Sequence, residues 1–255
     1  MQKTIFRSYA ASAEGNPAGC DHVAVGTDDG ADWGCFGRGI AALKNAPDCH
    51  QVAEGQGYRR WAGIIEGGDN AGLVNEQSGR CHNVANRILA VAGADVRTAG
   101  SDVVILFVYG KYGFNIPGFL QRVKAGADQV NTEAPETLSA DDVQSVIEKI
   151  NNVKQDELDI IEEYFEKALG NTNFNLSQDE KAGIGKIYND FFEQRVPIQS
   201  LPGSYFDNLK PVALKSLLQL EALLGNDRFL KVFTAAPQFV ADALKPGISL
   251  AGLAK

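Results

Sequence analysis

Cys81, His22 and Asp32 are the three residues whose types suit one reaction. A thiol that attacks a carbonyl needs a base to take its proton, a group to orient that base, and donors for the developing oxyanion. Cys81 heads a run in which Val84, Ile88 and Leu89 repeat at helical spacing, with Ala85 and Ala92 beside them. Ser78 is a suitable N-cap and Gly93 a natural stop, so a helix is expected over 80–92. A cysteine in its first turn meets N–H groups with no intrahelical partner, at the positive end of the dipole. That setting lowers the thiol pKa and favours the thiolate, the nucleophilic form.

The base is expected to come from another element. His82 follows Cys81 directly, and adjacent side chains on a helix diverge too widely to meet. His22 lies in residues 20–26, an alternating segment that reads as a strand, and is the preferred base. His50, in a segment without clear periodicity, is the reserve. Asp29 and Asp32 follow the His22 strand, and Asp32 is preferred as the orienting carboxylate. Asn75 or Gln77, shortly before Cys81, would supply an oxyanion donor, and Trp33 is assigned to substrate contact.

The elements that must position these residues follow from the punctuation of the chain. Residues 1–19 are small and polar, with a turn at 15–19. Asp28-Asp29-Gly30 is a turn signal joining the His22 strand to a second short strand at 33–37. Residues 37–75 are glycine-rich and read as a long irregular connection. Residues 103–109 form the most strand-like run, 110–118 a loop, 119–124 a short helix and 127–137 a polar linker. Helices then dominate. Capping boxes at 139–142 and 177–180 open two of them. Others are expected over 155–169, 207–224, 227–234 and 237–244, with breaks at Pro197 and at Pro202-Gly203. The expected fold class is α+β. A small antiparallel sheet packs on the Cys81 helix and an all-α half follows, with domains at 1–126 and 138–255.

Cys20-Asp21-His22-Val23 followed by Gly79-Arg80-Cys81-His82-Asn83-Val84-Ala85-Asn86-Arg87 resembles the circularly permuted papain-like order of NlpC/P60-related thiol hydrolases, in which the histidine precedes the cysteine. The resemblance covers about residues 18–110. It implies a papain-like domain that hydrolyses or transfers an amide, peptide or acyl group, with no metal and no other cofactor.

Two other uses of the cysteines belong to a non-enzymatic binding or interaction protein. Cys20, His22, Cys35, Cys49, His50, Cys81 and His82 include enough soft ligands for zinc, although no Cys-x-x-Cys knuckle occurs. Four cysteines could instead form two disulfides. No cysteine or histidine occurs after His82, so such chemistry belongs to the first third of the chain. The formal charge of −8 argues against a nucleic-acid partner. No apolar run reaches the roughly 20 residues of a membrane span. Arg7 interrupts the first apolar stretch, so no signal peptide is read and a cytoplasmic location is expected, with export by a route lacking such a peptide left open. The expected partners are a peptide or acyl-type substrate and, through the acidic C-terminal helices, a protein.

Overall fold

The computed structural model describes residues 4–12, 21–34, 40–57, 81–92, 110–113, 120–121, 123–126, 128, 140–169, 176–198 and 200–242. The fold is α+β: among these residues a four-stranded antiparallel sheet lies early in the chain and helices dominate after it.

Strand β1 (Thr4–Ser12) is central, between β2 (Asp21–Thr27) and β4 (His50–Gly57). The short strand β3 (Asp32–Gly34) lies outside β2, giving the order β3-β2-β1-β4. The expected hairpin between β2 and β3 is present. Thr27 N–H donates to the Ala31 carbonyl at 2.9 Å, Gly30 N–H donates to the Thr27 carbonyl at 3.0 Å, and Gly30 takes φ 89°. Two strands were not anticipated, β1 in the segment read as small and polar and β4 in the segment read as irregular. Ser8 pairs with Ala53 and Tyr9 with Gln51, so Val52 is the extra residue of a β-bulge.

Both faces of the sheet are covered. On one lie Phe6, Ala10, Val23, Val25, Trp33 and Ala53, packed against Val84, Ala85, Ile88, Leu89 and Ala92 of helix α2 (Cys81–Ala92). Burying each larger aliphatic or aromatic side chain stabilises this layer by about 1.5–3 kcal/mol. Phe6 and Trp33 stack with centroids 5.7 Å apart. On the other face Ala11, Ala24 and Leu43 cluster with Tyr9, Ile40, Ala46 and Cys49, beneath the single turn α1 (Ile40–Leu43) and the residues after it. A Cβ at Gly57 would overlap the Ala92 carbonyl, so only glycine lets β4 approach the end of α2 this closely.

The chain divides into two compact units. The first holds the sheet, α1, α2, residues 110–113 and helix α3 (Ala140–Asn151). The second runs from Lys154 and holds α4 (Val153–Leu169) beyond its first residue, α5 (Gln178–Ile198), α6 (Tyr205–Leu224), α7 (Asn226–Phe233) and α8 (Pro237–Asp242). Helix α6 packs against α5, α7 and α8. Phe165 of α4 meets Phe233 of α7 edge-on, with centroids 5.8 Å apart. The second capping box forms as expected: Ser177 N–H donates to Glu180 Oε2 at 2.8 Å and Glu180 N–H donates to Ser177 Oγ at 3.2 Å. Pro197 lies inside α5, which ends one residue later at Ile198; without an N–H the proline cannot donate to the preceding turn, and the helix stops just beyond it. Among the described residues no helix is long and apolar enough to cross a membrane.

Candidate functional site

Cys81 is the first residue of α2, as its surroundings in sequence predict, and the helix behind it is held on two sides. One side is the apolar layer on the sheet. The other presents Asn83, Asn86 and Arg87, three and four residues apart and therefore neighbours on the helix surface. Asn83 Nδ2 donates to the carbonyls of Gly110 at 2.5 Å and Lys111 at 3.1 Å. Asn86 Nδ2 donates to the Lys111 carbonyl at 3.0 Å, and Arg87 Nε to that of Tyr112 at 2.6 Å. Gly110 and Gly113, with φ of 71° and 77°, bend the backbone so that successive carbonyls face the helix. Each bond to a neutral donor contributes about 1 kcal/mol and that from the guanidinium about 1.5–3 kcal/mol. Residues 82–92 are all buried, and Arg87 is fully so. The N-terminus of α2 is thus anchored, with its first N–H groups fixed relative to the sheet.

The other expected site residues are distributed by the register. His22 pairs with Ala11 and flanks Ala24, both members of the cluster on the α1 side of the sheet. Val23, one residue on, pairs with Ala10 on the α2 side. Position 22 therefore has the parity of the α1 face, whereas Cys81 belongs to the helix on the opposite face. The backbone does not bring the two together, because a slip of one residue along a strand exchanges its faces. The side chains of His22 and Cys81 lie outside the described residues, as do Cys20, Cys35, Asn75 and Gln77. Asp32 opens β3 and its Oδ1 accepts the Ile40 N–H at 2.8 Å, which ties α1 to the sheet on the α1 side. Trp33 is buried on the α2 side against Phe6, as part of the core. Asp29 accepts a hydrogen bond from Thr27 Oγ1 within the turn.

Comparison with protein-family models, curated proteins and solved structures finds no match to this chain.

His50 opens β4 and is not irregular. It pairs with Ala10, so it shares the parity of the α2 face, and β4 touches α2. Its Nδ1 lies 3.0 Å from the Asp48 carbonyl. An Nδ1–H donated there leaves Nε2 as the basic nitrogen. Cys49 carries a free thiol, half-buried on the α1 side. Among the described residues no three His, Cys, Asp or Glu side chains converge as a metal site requires.

Sequence reasoning missed the Asn83, Asn86 and Arg87 seam. Its spacing was visible, but its acceptors are backbone carbonyls some 25–28 residues away, which carry no residue-type signal. It also missed Arg7, whose guanidinium sits between Asp28 and Glu54 on the α1 face. The hydrogen bond from Arg7, then that from Gln51, holds the Glu54 carboxyl below its usual range.

Proposed function

We propose that this chain is a cysteine-dependent hydrolase or acyltransferase acting on an amide, peptide or acyl bond, with Cys81 as nucleophile and His50 as its base. The observation that carries the reading is the position of Cys81 as the first residue of a helix whose other residues are buried and fixed to the sheet. A thiol there has backbone N–H groups beside it, which favour thiolate and can receive an oxyanion. His50 replaces His22 because it is the one histidine among the described strands with the parity of the α2 face. In this mechanism Nε2 of His50 takes the Cys81 proton as sulfur bonds to the substrate carbonyl carbon. The tetrahedral intermediate collapses, the leaving amine or alcohol takes that proton, and an acyl-enzyme remains. Water or an acceptor nucleophile, deprotonated by the same imidazole, then releases the acyl group and restores the thiol.

The competing reading is an interaction protein whose cysteines are structural. Burial of residues 82–92 favours it, since a helix clamped on two sides is also what a scaffold needs. Alkylation by iodoacetamide across pH, followed by peptide mass mapping, separates the two. The enzyme reading expects Cys81 to react with an apparent pKa well below the ordinary thiol value of about 8.5. It expects His50→Ala to return that profile towards the ordinary value and His22→Ala to leave it unchanged. A Cys81 that titrates near the ordinary value in all three proteins would refute the enzyme reading.

A further inference from the structure

The α1 face of the sheet is only partly covered by α1. Beyond Leu43, towards the β2–β3 turn, it opens into a pocket of about 270 Å³, lined among others by Tyr9, Gly26, Ala31, Asp32, Ile40 and Lys44. Gly26 makes the floor: a Cβ there would overlap Ile40 Cδ1 and stand 3.0 Å from the Ala31 carbonyl. Ile40, Ala31 and Ala41 give aliphatic walls.

The charges around this pocket divide into two kinds. Arg7 is neutralised, its Nε bonded to Glu54 at 2.8 Å and its Nη1 to Asp28. Lys44 and Asp32 are not. Lys44 Nζ lies 4.8 Å from the centre of the Tyr9 ring and has no carboxylate partner among the described residues. Asp32 spends one oxygen on the Ile40 N–H and has no cationic partner among them. One ammonium and one carboxylate therefore border a single small, partly aliphatic pocket without pairing with each other. The ring of Tyr9 beneath Lys44 restricts where the ammonium rests, which lowers the entropy lost when it meets an anion.

We propose that this pocket binds a small zwitterion of the α-amino-acid type, its carboxylate on Lys44, its ammonium on the free oxygen of Asp32 and its aliphatic side chain against Ile40. The pocket is below the size range of larger metabolite sites, which begins at about 300 Å³. Its two opposite charges select a ligand carrying both. The site lies on the face of the sheet opposite Cys81 and does not depend on the thiol reading.

Titration of the ¹⁵N-labelled protein with L-leucine, L-valine and L-alanine tests this, with leucinamide and 4-methylpentanoate as analogues that lack one charge. The expected result is saturable shifts of the Gly26, Ala31 and Lys44 amides with at least one zwitterion, and affinity at least about tenfold weaker for both analogues. Lys44→Met should remove the preference over leucinamide, and Asp32→Asn, whose side-chain oxygen still accepts the Ile40 N–H, the preference over 4-methylpentanoate. Unchanged far-UV circular dichroism confirms that the variants are folded. No saturation by any of the three zwitterions at about 20 mM overturns the proposal. Equal binding of zwitterions and analogues, or preferences untouched by both substitutions, overturns it as well.

Discussion

Replacing Glu180 by glutamine should make the helical unit less stable at neutral pH and cancel that difference in acid. Glu180 closes the capping box of α5 and also receives Arg228 of α7, through Nη1 at 2.5 Å and Nη2 at 3.1 Å. The Arg228 guanidinium, then the Ser177 N–H, pull its carboxyl from 4.5 down to about 2. A group whose pKa is depressed on folding adds stability that is complete above its unfolded pKa and disappears as pH falls through the folded one. The window is therefore about pH 5 down to about pH 2. At full strength the shift corresponds to about 3 kcal/mol. Solvent reaches the pair, with side chains 16% and 19% exposed, so we expect about 1 kcal/mol after screening. Urea denaturation followed by circular dichroism at half-unit pH steps should show wild type and Glu180→Gln separated by that amount at pH 7 and converging below pH 3. Arg228→Met should give a pH dependence of the same direction but smaller size, because the Ser177 N–H still lowers the Glu180 carboxyl, and at a smaller cost, because it also removes Nε, which is buried with no hydrogen-bond partner among the described residues. A separation that stays constant from pH 7 to pH 2, or no separation at pH 7, would refute the reasoning.

Three further outcomes follow from single contacts. Glu157 is buried with Arg195 Nη2 at 2.6 Å and accepts the Tyr188 hydroxyl, so Glu157→Gln should cost about 3–5 kcal/mol in urea denaturation, and Glu157→Gln with Arg195→Met appreciably less. Burial first, then the Glu157 carboxylate, raises the Tyr188 pKa well above 10.0. Ultraviolet titration of folded wild type and Tyr188→Phe should therefore coincide through the alkaline range, and a larger phenolate signal in wild type before unfolding would contradict this. Gly57→Ala should lower the melting temperature through a cost of about 2 kcal/mol or more, since the obstacle to its Cβ is the Ala92 backbone and no rotamer relieves it; an unchanged melting temperature would count against the packing of β4 on α2.

What was legible in the sequence was local. The Ser177/Glu180 box, the Asp28-Asp29-Gly30 turn and the apolar stripe of α2 each declare themselves within a few residues, and each forms as read. The strands β1 and β4 do not. Ser8, Ala10 and Ala11 are small because β1 is covered on both faces, so the alternation that marks a half-exposed strand is weak there. Arg7, read as breaking an apolar stretch, is the β1 residue tied to Asp28 and Glu54 on the α1 face. In β4 Val52 alone has clear strand character, and the bulge at that residue breaks the period-two pattern. Their pairing is a long-range property that no short window contains.

The same distinction governs the candidate site. The chemistry proposed for Cys81 rests on its place in a helix, a local fact that residue types reveal. The base in that proposal depends on which face of a strand a histidine occupies, and one residue of register decides that. Local pattern favours His22 over His50 as the base, and only their partners, Ala11 and Ala10, reverse that order. Parity then assigns position 22 to the face with the pocket beside Lys44 and position 50 to the face with the helix of Cys81. A thiol assay on the two histidine variants consequently reads the sheet register as well as the mechanism. If His22→Ala alone moved the Cys81 titration, the register of β2 would have to differ by one residue, and the packing of Val23 and Val25 against Val84 and Ile88 would fail with it.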